Sequence, residues 1–214
     1  MSGQETRGGP QTGDFGDRVL GGRVEPSAGQ VIAGLDEVGR GPLAGPVLAA
    51  AVVLLQPMAG LADSKTLSAR RREQLAFALT RPGRALIGLG AASAREIDAL
   101  NILEATMLAM QRALARLPIT PDLALVDGNR TPALPCPAEA VIGGDRRVPA
   151  IAAASIVAKV TRDRVMTRLD HRHPGYGWST NAGYPTAEHR DALKRLGPCP
   201  HHRQSFGPVK VLCA

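Results

Sequence analysis

The chain has 214 residues, 44% hydrophobic but only 3% aromatic, and a formal net charge of +7; this suits one domain with a core of Ala, Leu, Val and Ile and favours a polyanionic partner such as nucleic acid. Three widely separated cysteines, Cys136, Cys199 and Cys213, form no CxxC pair, so neither a disulfide framework nor a zinc ribbon is supported. The N-terminus lacks the apolar stretch of a secretory signal, and the longest apolar run, residues 43–55, contains Gly45 and Pro46 and falls short of the ~20 residues of a membrane span; a cytoplasmic protein with no membrane partner is expected.

Residues 1–29 are rich in Gly and polar residues without periodicity, which reads as a flexible N-terminal tail before a folded part over 30–214. The tail holds three Arg against four acids, whereas the folded part holds 23 basic against 15 acidic residues, so the basicity belongs to the latter. "VIAGLD" and the valine-rich "PVLAAAVVLL" suit two neighbouring buried strands joined through "EVGRGPLAG". "LADSKTLS" reads as a loop, with Ser68 as N-cap of the helix "ARRREQLAFALT". "RPG" ends that helix, and "RALIGLGAAS" is a third strand. Ser93 with Glu96 forms a capping-box pattern, and Asn101 with Glu104 repeats it for a longer helix. On that helix Leu103, Met107, Met110, Leu114 and Leu117 make one apolar stripe, read as core. "DLALVD" and "AEAVIGGD" are further strand-like runs. Pro149 sits where helices begin and opens a long helix through "AIAAASIVAKVTRDRVMTRLDHRH". "PGYGWSTNAGYPT" reads as a loop, Thr186 caps a last helix that Gly197 terminates, and residues 198–214 read as irregular. Early strands followed by strand–helix alternation give a mixed α/β sheet with helices on its faces.

Three of these strand-like runs end in acids: Asp36 with Glu37, Asp127, and Asp145. Strand ends host binding sites in α/β sheets. Carboxylates gathered there repel and raise one another's pKa values, a penalty that a divalent cation removes. Oxygen ligands without His or thiolate select Mg²⁺ or Mn²⁺, and two such ions about 4 Å apart suit phosphodiester hydrolysis. A single acid at a strand end is more often a cap or turn former, and Asp127 before Gly128-Asn129 makes a good turn as well.

The string "GLDEVGRGPLAGPV" resembles the N-terminal signature of the ribonuclease HII family, type 2 ribonuclease H. The resemblance continues in order through "DSKTLS", "NILEATMLAMQRAL", "LVDGNR", "GGDRRVPAIAAASIVAKVTRDR", "GYPTAEH" and "HHRQSFGPV", over roughly residues 31–210. It implies a ribonuclease-H-like α/β fold, a mixed five-stranded sheet flanked by helices, with a small C-terminal helical region from about residue 170 that grips the duplex. It also implies hydrolysis of the RNA strand of RNA–DNA hybrids and a nick on the 5′ side of a ribonucleotide embedded in duplex DNA. The family's metal set maps onto Asp36, Glu37, Asp127 and Asp145, with two divalent ions, Mn²⁺ or Mg²⁺.

By the same resemblance the loop Gly39, Arg40 and Gly41 reads the ribose 2′-hydroxyl, and Tyr184 packs on the deoxyribose that follows. Lys65, Ser155, Lys159, Arg162, His202, Arg203 and Ser205 stand in family-like blocks as phosphate contacts, with Lys159 and Arg162 three apart on one helix. Asp163 is either a support for the site or an ordinary helix ion pair. Two departures remove positive charge: Ala182 and Gly143 stand where many relatives carry lysine, with Arg146 and Arg147 nearby to compensate. "CPHH" at 199–202 lacks the partners of a zinc site. No coiled-coil pattern appears, so a monomer is expected.

Overall fold

The computed structural model describes residues 29–62 and 64–213, together with two short strands, β1 (Val19–Leu20) and β2 (Arg23–Val24), which pair antiparallel. The remainder of the expected N-terminal tail lies outside the described residues. The main sheet has five strands: β3 (Ile32–Val38), β4 (Val47–Leu54), β5 (Ala85–Ala92), β6 (Leu123–Asp127) and β7 (Ala138–Val141). Their order is β5-β4-β3-β6-β7. The first three form an antiparallel meander, while β6 and β7 add in parallel beyond β3.

The apolar run of β4 is continuous rather than alternating because both faces of the sheet are covered. On one face Ala33, Leu35, Ala49 and Ala51 pack with α3 (Ile102–Leu114). On the other, Leu48, Ala50 and Val52 pack with α4 (Pro149–Arg172) and with Leu79 of α1 (Ala69–Leu79). A third cluster gathers Leu43, Met166, Tyr176, Trp178 and Leu193 at the C-terminal end of α4. Among the described residues no helix is long and apolar enough to cross a membrane.

Local signals set the boundaries. Ser68 Oγ accepts from the Arg71 amide, the reciprocal box of Ser93 and Glu96 opens α2 (Ala94–Leu100), Pro149 opens α4, and Thr186 caps α6 (Ala187–Leu196), which Gly197 closes. Asn101 caps α3 through its own Oδ1, which accepts from the Leu103 and Glu104 amides, but Glu104 turns to Arg130 instead of completing a box.

Four expectations are corrected. The "PGYGWSTNAGYPT" loop contains a helical turn, α5 (Trp178–Asn181), and the C-terminal stretch contains α7 (Gly207–Cys213). Asp145 does not end β7; it lies in a 3-10 turn, Gly144–Arg146, just beyond it. The methionine stripe of α3 is only partly core: Met110, Leu114 and Leu117 are buried, but Leu103 and Met107 are only half-buried. The buried face also includes the small residues Ala105, Ala109 and Ala113 beside Met110 and Leu114. The reason is close approach: a Cβ on Gly90 would lie 2.0 Å from the Ala109 carbonyl oxygen, and one on Gly88 would lie 2.1 Å from that of Ala113.

Neither helix nor strand backbone can yield there without losing hydrogen bonds. Gly90→Ala is therefore expected to destabilise the chain by about 3 kcal/mol, the upper end for over-packing, seen as a lower urea midpoint with an unchanged slope.

Candidate active site

The site grows from the carboxyl ends of β3 and β6. These strands pair in parallel up to Leu35 and Val126, so the next residues, Asp36 and Asp127, come side by side although 91 positions apart in sequence. Asp36 is 6% exposed. Burial drives its carboxyl well above the usual carboxylate range, and the charges of Glu37 and Asp127 push the same way. A hydrogen bond from Ser155 and one from the Glu37 amide, at 2.7 Å, pull it partly back. Glu37 is likewise raised, by burial and by Asp127, against the lowering effect of Arg40, whose guanidinium stands 3.5 Å away. Asp127 Oδ1 accepts from the Gly144 amide at 2.7 Å, which ties it to the turn that carries Asp145, itself only 7% exposed.

The structure thus brings together Asp36, Glu37 and Asp127, with Asp145 on the adjoining turn. Among the described residues, no group of three or more His, Cys, Asp or Glu is arranged to hold a metal ion by itself. The donor set nonetheless suits a hard divalent ion, which typically takes one or two carboxylates and completes its shell with water and substrate phosphate.

Beside the acids runs the loop at 39–41. Gly39 has φ +94°, a conformation L side chains rarely adopt, and a Cβ there would lie 2.1 Å from Arg162 Nε. Gly41 faces Tyr184, whose ring atom Cε1 would be 3.5 Å from a Cβ at that position. Tyr184 is 42% exposed, so its ring is open to a ligand. Ser155 is buried, bonds the Ser64 hydroxyl at 2.9 Å and supports Asp36. Lys65, the chain neighbour of Ser64, is exposed. Lys159 lies one helical turn beyond Ser155 and forms an i,i+4 ion pair with Asp163 at 2.8 Å.

Several expected phosphate contacts are reassigned. Arg162 and Arg203 are both 0% exposed. Arg162 bonds the carbonyls of Pro46, Ala182 and Ala44. Arg203 bonds those of Gly45, Arg40 and Gly39 and lies over the Phe206 ring. Ser205 is tied to Asp98. His202 is buried within an aromatic cluster. Sequence spacing held a signal for Arg162: Ala154, Ala158, Arg162 and Met166 recur every fourth residue, all at 0% exposure. Nothing comparable marks Arg203, and Ser64 carried no signal beyond its place in "DSKTLS".

The His202 cluster is satisfied by one set of tautomers. The Cys199 amide donates to His202 Nδ1, so His202 Nε2 carries the proton and faces His189 Nε2 at 3.1 Å. That same atom of His189 accepts from the Trp178 indole at 3.0 Å, which leaves His189 Nδ1 to donate to the Tyr184 carbonyl. Adding a proton to either ring sets donor against donor. Burial accordingly lowers His189 and, with the neighbouring His189, lowers His202 to about 4.

The model for ribonuclease HII matches residues 33–209. The chain belongs to the ribonuclease HII family. It is 59% identical over 198 residues to the ribonuclease HII of Granulibacter bethesdensis, covering 90% of each chain. Its fold resembles the crystal structure of ribonuclease H2 from Pyrococcus horikoshii, with a TM-score of 0.69 and 27% identity over 85% of this chain and 96% of that one. It also resembles Bst ribonuclease HIII, solved with Mn²⁺, at TM-score 0.69 and 16% identity, covering 86% and 69% of the two chains. The expected five-stranded ribonuclease-H-like fold is therefore present, and the chain is an enzyme of the metal-dependent ribonuclease H class.

Two outcomes follow from the charges. Because Asp36 is raised in the folded state, its ionisation opposes folding as pH rises from the ordinary carboxylate range into that raised range. At neutral pH in chelator, Asp36→Asn is expected to raise Tm by roughly 2–4 °C, the shift made by about 1 kcal/mol in a chain this size. Divalent ions should raise the Tm of the unmodified protein more than that of the variant. Histidines held below their ordinary value bind protons more readily when unfolded, so stability is present above about pH 6.5 and lost as pH falls toward the value of about 4 for His202. The sole tryptophan, Trp178, reports this directly: its fluorescence should change across that window, and His202→Phe should flatten the response.

Proposed function

We propose that the chain is an endoribonuclease that hydrolyses the RNA strand of RNA–DNA hybrids and nicks on the 5′ side of a ribonucleotide embedded in duplex DNA, leaving 3′-hydroxyl and 5′-phosphate ends. The observation that carries this reading is the buried Asp36 beside the half-buried Glu37 and close to Asp127, set at the head of a bare glycine loop that faces Tyr184. Repulsion among such carboxylates is relieved by divalent cations, and the loop offers close backbone approach to a sugar.

In this reading Asp36, Glu37, Asp127 and Asp145 hold two divalent ions, Mn²⁺ or Mg²⁺. When bound, such ions activate water and stabilise the leaving 3′-oxygen. Ser155 orients the Asp36 carboxylate, and the Gly144 amide fixes that of Asp127. Gly39, Arg40 and Gly41 meet the ribose, whose 2′-hydroxyl distinguishes RNA from DNA, while the Tyr184 ring covers the next deoxyribose. Lys65 and Lys159 bind flanking phosphates, a contribution that weakens with salt; Asp163 tempers the charge of Lys159. The helical part from about residue 170 grips the duplex, with Arg146 and Arg147 supplying charge near Gly143. A monomer acting on cytoplasmic nucleic acid, where its three free cysteines stay reduced, serves removal of ribonucleotides from DNA.

A labelled DNA duplex with one internal ribonucleotide tests this, incubated in Mg²⁺, in Mn²⁺ and in chelator beside an all-DNA duplex. The expected result is a metal-dependent nick 5′ to the ribonucleotide, slowed by about 10²–10³ in Asp127→Asn, the scale of losing one preorganised electrostatic group. Equal cutting of all-DNA duplex would make the chain a general nuclease, and binding without cleavage under either metal would remove the catalytic role of the acids.

A further inference from the structure

Two buried cations sit beneath the proposed reading surface, and among the described residues neither forms an ion pair with a carboxylate. Each spends its planar fork on main-chain oxygens. Arg203, from the segment after α6, holds the carbonyls of Gly39, Arg40 and Gly45 at 2.6–3.1 Å. Arg162, from α4, holds Ala44 and Pro46 on the same loop and Ala182 on the Tyr184 loop at 2.9–3.1 Å. The two loops are also joined directly, since the Leu43 amide donates to the Gly183 carbonyl at 2.8 Å. The backbone of the Arg203 segment is laced to the first loop through Gly45 N to His201 O and Arg203 N to Leu43 O.

Burying a guanidinium is costly, and well-packed apolar side chains would fill the same volume more cheaply. What leucine or methionine cannot do is fix several carbonyls at once in a rigid planar array. The carbonyls chosen belong to the loop at 39–46 and to the turn before Tyr184, the two elements that the proposed function assigns to the ribose and to the sugar after it. We propose that Arg203 and Arg162 are positioning residues that lock these two loops into one rigid reader, so that recognition of a ribonucleotide in DNA depends on side chains that never touch the nucleic acid. The inference rests on the ribose-reading role proposed for Gly39–Gly41 and Tyr184.

The test compares binding to two duplexes, alike except for ribose or deoxyribose at one position, with Ca²⁺ in place of the catalytic ion. Arg203→Lys keeps the charge but can hold fewer of the three carbonyls. It is expected to lower the ribose-over-deoxyribose preference about tenfold, the worth of one charge-assisted hydrogen bond. Affinity for the all-deoxy duplex should change less than about twofold. kcat/KM on the embedded ribonucleotide should fall in step with the preference. Gly41→Ala, which alters the loop itself, serves as the reference for lost reading. Loss of preference in Gly41→Ala but not in Arg203→Lys overturns the inference alone. Equal weakening toward both duplexes in Arg203→Lys also overturns it, since a merely structural role would do that. No preference in the unmodified protein overturns the underlying reading and the inference with it. If Arg203→Lys does not fold, Arg162→Lys carries the same expectation and the same overturning results.

Discussion

Helix α4 lies so close to β3 that a Cβ on Gly34 would fall 2.2 Å from the Ala150 backbone, and the rest of the site takes its position from that contact. With the helix fixed at Ala150 and Ile151, its 1.5 Å rise per residue acts as a ruler across about 22 Å. Ser155 arrives at Asp36, Lys159 follows one turn on, Arg162 slides under Gly39, and Met166 fills the space beside Gly45. A side chain at Gly34 would lift the helix and move all of these together. Alanine serves the same end on the other face, where α3 settles onto the glycines of β5. The near absence of aromatic residues from the sheet core is thus a condition for thin, closely spaced layers.

That rigidity has to hold an arrangement that resists it. Asp36 is buried beside the half-buried Glu37, with Asp127 close by, and the half-exposed Arg40 stands against Glu37. Arg162 and Arg203 lie a layer deeper and are occupied by carbonyls. Keeping these cations apart from the acids matters for the proposed function, because direct ion pairs would neutralise the carboxylates that it assigns to a divalent ion. The layering keeps Arg162 and Arg203 on main-chain oxygens beneath the acids while the backbone around them is held firmly, the usual compromise between stability and function.

Much of the fold was legible because its signals are local. Serine and threonine caps, the proline opening α4, the glycine closing α6 and the apolar runs of β3 to β6 each declare themselves within a few residues. The acids at Asp36, Glu37 and Asp127 were legible for a similar reason, as charges ending buried runs. Depth was what the sequence concealed. An arginine reads as surface by default, yet Arg203 is buried, and its carbonyl partners lie more than 150 residues away. The methionine stripe of α3 was right for Met110, Leu114 and Leu117 but missed the alanines, because hydrophobicity ranks Leu and Met above Ala, whereas the space beneath the helix is set by Gly88 and Gly90 on another element. The helical turn at Trp178–Asn181 rests on contacts with Asp170 and His189 that no local pattern reports.

The parallel pairing of β3 with β6 also bears on how the site comes into being. Strands β3 and β4 close across the short loop at 39–46, so Asp36 and Glu37 are placed by contacts local in sequence, whereas β5 adds to them only after α1. Asp127 joins them only after α1, α2 and α3 have been threaded into place, and loop-closure entropy makes such long-range parallel contacts late to form. A chain growing from its N-terminus therefore presents Asp36 and Glu37 well before Asp127 and Asp145, and gains the Arg203 contacts with the loop at 39–45 last of all.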